Sequence, residues 1–167
     1  MNIIDKKLLY IIFLSSLLSA QVSHIELPID ISETTFNKSI PKPIDVFNHY
    51  LGEQHTRTDQ IIEYFYAVAN KSNRVVVENH GTTHEGRKLI HAIITSDENQ
   101  NKLDEILINN RKISLNPEKI SRNTIKKMPV VAYFGYSIHG DEASGSEAAI
   151  LLLYHLSAGS SLSLIHI

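Results

Sequence analysis

Met128-Pro129-Val130-Val131-Ala132-Tyr133-Phe134-Gly135-Tyr136-Ser137-Ile138-His139-Gly140-Asp141-Glu142-Ala143-Ser144-Gly145 passes from an apolar run through a connection and towards a helix. Val130 to Phe134 is hydrophobic on both alternating faces, which predicts a central strand buried on both sides of its sheet. Gly135 to Ser144 reads as a connection. Ala148-Ala149-Ile150-Leu151-Leu152-Leu153 then predicts a helix from about Gly145 to Leu156. A strand followed by a helix points to an α/β layered fold, and in such folds ligand sites lie outside the carboxyl ends of the strands. His139 and Glu142 stand at that place.

Working upstream, Asn99 to Lys112 predicts a helix with Leu103, Ile106, Leu107 and Ile113 inward, followed by a surface loop with some helical turns from Ser114 to Lys127. Val75-Val76-Val77 within Arg74 to Glu78, and Leu89-Ile90 with Ile93-Ile94 within Lys88 to Thr95, predict two strands paired as a hairpin or as sheet neighbours. His80 to Gly86 is the connection between them. A helix beginning at Thr58, as N-cap, carries Ile61, Ile62, Phe65, Val68 and Ala69 at helical spacing and breaks at Asn70 to Asn73. Ile44 to Leu51 predicts one or two helical turns ended by Gly52. Gln21 to Pro43, with Pro28, Pro41 and Pro43, reads as an extended approach segment.

Composition narrows the chemistry. The 167 residues carry a net charge of -2 with 20% charged residues, and no Lys/Arg block exceeds a pair. No nucleic-acid footprint is present. The absence of cysteine removes disulfides, thiolate metal ligands and a Cys nucleophile, so a metal site must use His, Asp, Glu or water. His139 and Glu142 are three positions apart in a turn entering a helix, where both side chains can converge on one point. Imidazole nitrogen and carboxylate oxygen suit zinc, and catalytic zinc often takes two His, one Glu and a water. With nine histidines in the chain, however, a His-x-x-Glu pair is expected by chance roughly once or less. The pair alone is equally compatible with a His-capped loop in which Glu142 serves the dipole of the following helix. Gly140 is expected to keep the turn narrow, and Gly145 to relieve crowding at the helix start.

Two separated stretches resemble the zinc carboxypeptidase family of carboxypeptidase A-like metallopeptidases. Tyr133 to Gly145 is similar to the strand and loop bearing that family's first zinc-binding His and its Glu. Gly81-Thr82-Thr83-His84-Glu85-Gly86-Arg87-Lys88-Leu89 is similar to its Ser/Thr-x-Glu-Gly-Arg hairpin, which there precedes the ligand pair by a helix and a strand, as here. The resemblance covers roughly Tyr50 to Leu156. It implies a three-layer α/β sandwich with a mixed sheet, of which this chain would hold the N-terminal part. It also implies Zn2+ as cofactor, His139 and Glu142 as ligands, and a peptide or protein substrate.

Arg87 corresponds to the arginine at the edge of the family's substrate cleft, or else pairs with Glu85 or Asp141 to hold the hairpin. His80, His84 and His91 are read as hairpin surface or packing residues, Tyr133 and Tyr136 as packing, and His155 as a solvated helix terminus. The family's third ligand, its carboxylate-binding arginines and its general-base Glu are expected beyond this chain. No catalytic residue is therefore assigned within it, and the chain as given is expected to be inactive.

Lys6-Lys7, the largely apolar stretch Leu8 to Leu18 and Ser19-Ala20 form an export signal, residues 1–20, too short for the ~20 residues that span a bilayer. The expected product is secreted or periplasmic, without a stable membrane anchor. Residues 21–56 form the approach segment and 57–161 the partial catalytic domain. Leu162-Ser163-Leu164-Ile165-His166-Ile167 matches the translation of CTG TCT CTT ATA CAC ATC, a transposon end used in sequencing libraries, and is expected to be adapter. Two other functions stay open: a zinc amidohydrolase of the same fold acting on acylated amino acids or cell-wall peptides, and a non-catalytic binding domain.

Overall fold

The computed structural model describes residues 35–160. The expected signal at 1–20, the first part of the approach segment and the expected adapter tail at 162–167 lie outside the described residues. Among those described, α1 spans Pro43–Phe47, α2 Thr58–Ala69, β1 Val75–Thr82, β2 Lys88–Ile94, α3 Asp97–Gln100 and α4 Leu103–Leu115. A 3-10 turn at Pro117–Lys119, α5 at Arg122–Lys127 and α6 at Ala143–Ala158 follow. This is a mixed helix and strand arrangement around a small antiparallel sheet, in keeping with part of an α/β domain.

Helix boundaries follow local chemistry. Pro43 starts α1, where its missing N–H is no loss. The helix ends at Asn48, whose φ of 58° is left-handed, so Asn48 rather than Gly52 is the stop. In α2 the N-cap is Arg57, one residue before Thr58, and its amide donates to Gln60 Oε1 at 3.3 Å. Asp59 in the first turn complements the helix dipole. Tyr64 and Val68, one helical turn apart, are fully buried.

The hairpin places Val75 opposite Ile94 and Val77 opposite Ala92, with a bulge between Asn79 and Gly81. β1 runs four residues beyond the expected Glu78 end, because its polar half still finds a ladder partner in β2. The turn is closed by Gly86 N–H to the Thr83 carbonyl at 2.9 Å and Thr83 N–H to the Arg87 carbonyl at 2.8 Å. The Thr83 hydroxyl accepts from the Arg87 amide at 3.1 Å. Gly86 holds a φ of 77°, which glycine adopts without the penalty of a side chain.

The core sits where α6 crosses α2 and α1 and where α2 covers the hairpin: Tyr64, Val68, Val75, Ile150, Leu153 and Phe47 are its buried centre. Each large apolar side chain buried there contributes about 1.5–3 kcal/mol. Tyr64 also donates its hydroxyl to the Pro41 carbonyl at 3.0 Å, which joins the approach segment to α2. Further along, Phe36 bridges to Gly159, and Arg74 Nη1 donates to the Gly159 carbonyl at 2.9 Å. The end of α6 is thus sewn to both the approach segment and the start of β1.

Two further expectations fail. Val130 to Phe134 forms no regular element and pairs with no strand among the described residues, and Val130 is 94% and Tyr133 91% exposed. A strand is held by ladder bonds to a neighbour, and apolar character alone supplies none. The helix expected over Asn99 to Lys112 is split into α3, capped by the Ser96 hydroxyl on the Asn99 amide at 3.3 Å, and α4. On α4, Leu103, Ile106 and Ile113 are half-buried while Leu107 is exposed. The helical turns expected within the loop over Ser114 to Lys127 are present as the 3-10 turn and α5, whose N-cap Ser121 accepts from the Thr124 amide at 3.0 Å.

Candidate metal centre

The loop that carries His139 and Glu142 closes by one backbone bond, Glu142 N–H to the His139 carbonyl at 3.1 Å. That bond folds the intervening Gly140-Asp141 into a tight turn and brings the two donor residues to its two ends. Both side chains are exposed, and neither makes a hydrogen bond or ion pair among the described residues. Glu142 occupies the N-cap position of α6, which starts two residues earlier than expected, yet its side chain makes no capping hydrogen bond. The carboxylate is therefore not consumed as a cap, although its position still places negative charge at the positive end of α6.

The turn is seated on α6 from its N-terminal side. Ser137 has a left-handed φ of 56°, and its hydroxyl pairs with that of Ser146, a buried residue in the first turn of α6. A Cβ at Gly145 would stand 3.1 Å from the Ser137 amide nitrogen. Gly145 thus relieves crowding as its position suggested, with Ser137 as the group it admits. Gly140 has nothing within 4 Å of where its Cβ would be and no left-handed φ, so the turn does not depend on it sterically.

A second polar chain, not anticipated from the sequence, holds α6 to the loop before α2. Thr56, fully buried, donates its amide to Glu147 Oε1 at 3.0 Å. Its hydroxyl lies 3.0 Å from His49 Nε2, and His49 Nδ1 donates to the Phe47 carbonyl at 3.1 Å. Glu147 Oε2 is buried with no partner among the described residues. An acid in the second turn of an apolar helix was the available signal. Between this loop and α6 lies an open cleft of about 470 Å3, lined by Leu51, Gln54, His55, Ala143, Ser144 and Glu147 among others. Its floor begins at Ala143, the residue after Glu142.

Arg87 lies at the β1–β2 turn and is ion-paired with Glu85, both side chains being largely exposed. His91 Nε2 is 3.3 Å from Glu78 Oε2, and its ring packs on His80 with centroids 5.4 Å apart. Tyr133 does not pack as expected: its side chain is 91% exposed, with no strand paired to its segment among the described residues. Tyr136 stacks on Phe134 with centroids 6.4 Å apart. His155 is half-buried and meets Phe36 edge-on at 6.0 Å, so it is a packing residue more than a solvated terminus.

An imidazole and a carboxylate at the two ends of one turn are donors of the type zinc takes. They are two in number: no group of three His, Cys, Asp or Glu residues able to hold a metal occurs among the described residues. The donor set fits zinc in kind and is incomplete in count. The hairpin, the turn and α6 together are in keeping with part of an α/β domain. The zinc carboxypeptidase family model of the M14 peptidases matches residues 61–161, and the chain belongs to that family. The chain has no match among the curated proteins or the solved structures compared with it.

Proposed function

We propose that this chain contributes two of the zinc ligands, His139 and Glu142, to a secreted or periplasmic metallocarboxypeptidase that removes C-terminal residues from peptides or proteins. The observation that carries this reading is the backbone turn joining two exposed donors, within a family match that spans both the hairpin and the turn. Zinc, when bound, supplies Lewis acidity and activation of water at neutral pH. The chain's own part is to present the donors: the His139–Glu142 turn sets their separation, and α6 gives the turn a buried foundation. Arg87, at the tip of the hairpin, is proposed as a substrate-edge residue, with Glu85 as its resting partner. The remaining donor and the general base come from outside the described residues, as do the strands that complete a three-layer sandwich around Val130 to Phe134. Export through residues 1–20 belongs to the same proposal, and no helix among the described residues is long and apolar enough to cross a membrane.

Titration of the full chain with Zn2+, followed through the His139 imidazole resonances, tests the donor pair. A saturable shift is expected in the parent chain, requiring at least about tenfold more Zn2+ in Glu142→Gln. The chain alone is expected to release no C-terminal amino acid from test peptides. An unresponsive His139 in the parent chain would sink the zinc reading, and zinc-dependent peptide cleavage by the chain would overturn its inactivity.

A further inference from the structure

We infer that Gly145 and Ser146 are positioning residues for the donor turn: they form the seat on which Ser137 to Glu142 is held, and the donors keep their places only while that seat is intact. Three observations meet here. Ser137 is forced into a left-handed backbone conformation that a non-glycine residue adopts at some cost, so something must hold it there. Its hydroxyl is paired with that of Ser146, which is buried and belongs to a helix anchored by Ile150 and Leu153 in the core. Its amide nitrogen approaches α6 so closely that a side chain at 145 would press on it, a Cβ there standing 3.1 Å from Ser137 N and 3.8 Å from Ser137 Cα, so that the loop would have to give by a few tenths of an ångström.

The rigid partner in this contact is α6. It is 16 residues long, and its buried residues Ser146, Ile150, Leu153 and Ser157 recur along one face. The exposed loop has no such anchor of its own: all its side chains from Val131 to Glu142 are exposed, and the described backbone bond within it is that of the turn itself. A methyl group at 145 or loss of the hydroxyl at 146 therefore moves the loop and leaves the helix in place. Gly140, equally a glycine in the turn but with open space around it, supplies the contrast.

The test reads local order first and metal second. In the full chain, amide hydrogen exchange over residues 138–142, Glu142 above all, is expected to quicken by about tenfold in Gly145→Ala and in Ser146→Ala. Exchange over 150–156 should stay unchanged, and Gly140→Ala should resemble the parent throughout. Ser146→Thr, which keeps the hydroxyl, should restore most of the protection. If Gly145→Ala fails to fold, Ser146→Ala decides. Unchanged exchange at 138–142, or a rise shared equally by 150–156, would overturn the positioning role.

The metal half of the test rests on the zinc reading above. Both disruptive variants should need several-fold more Zn2+ to shift His139, whereas Gly140→Ala should not. If the parent chain gives no response to Zn2+, the zinc reading fails, while the exchange pattern still decides whether Gly145 and Ser146 seat the turn.

Discussion

Val75-Val76-Val77 and Val130-Val131 are alike in local composition, and they meet opposite fates. The first run lies in β1, with Val75 buried at 3% exposure beneath α2 and paired to Ile94. The second pairs with no strand among the described residues, and its two valines are 94% and 65% exposed. β-branched side chains favour an extended backbone in both places. Among the described residues only β1 has a pairing segment, β2, brought back to it by a turn whose residues close it locally. A strand is a property of two segments, and its apolar character describes only one of them.

The largest expected effect comes from cutting into the half that is assembled. Leu153→Ala, which empties a side chain 1% exposed at the α6–α2 contact, should cost about 2–5 kcal/mol in denaturant unfolding. Val130→Ala should change stability by less than about 0.5 kcal/mol in the same assay. A cost at Val130 approaching that at Leu153 would break the comparison and show that the segment is covered in solution.

Next in size is the turn that gives β1 its partner. Gly86→Ala forces a residue with a Cβ to hold a φ of 77°. It should destabilise the chain by about 1–2 kcal/mol, with exchange quickening first at the β1–β2 ladder. An unchanged ladder would mean that β1 and β2 pair without help from their turn.

Tyr64 sharpens the same contrast through pH. Burial above all, and then Tyr154 and Asp45, raise its phenol well above the ordinary value near 10. With the folded value above the unfolded one, the unfolded chain loses its proton first. The contribution is therefore complete below about pH 10 and declines as pH rises beyond it. Tyr64→Phe should lose about 1 kcal/mol at neutral pH, through the missing bond to the Pro41 carbonyl, and should flatten part of the alkaline decline. A decline as steep as the parent's would assign the alkaline loss to other groups.

The smallest effect is expected at Val131→Lys. A charge at a 65% exposed position on an unpaired segment should cost within about 0.5 kcal/mol, read by the same unfolding assay. A loss of several kcal/mol would place that side chain in a covered interface.

Much of the framework was legible because it is local. The 3.6-residue spacing of Ile61, Phe65 and Val68 placed α2, and the Leu-rich run placed α6 within two residues at each end. The hairpin followed from two β-branched runs around a Thr-x-x-Gly turn. The candidate pair His139 and Glu142 was proposed from type, spacing and wording, and the turn that joins them is local as well. Less visible were features made by approach across distance in the chain. Thr56 meets Glu147, and Ser137 meets Ser146, through contacts that no periodicity announces.

From its sequence alone this chain is determined as a zinc carboxypeptidase relative with a hairpin, two core helices and a candidate donor pair, because periodicity, turn residues and motif wording are properties of neighbours in the chain. Tertiary structure alone decided which apolar run becomes a strand, what Gly145 makes room for, and that no group of three His, Asp or Glu able to hold a metal forms among the described residues. Ladder pairing, close approach and convergence of ligands each require a second segment in place, and where that segment comes to rest is set by the packing of α6 on α2 and the hairpin.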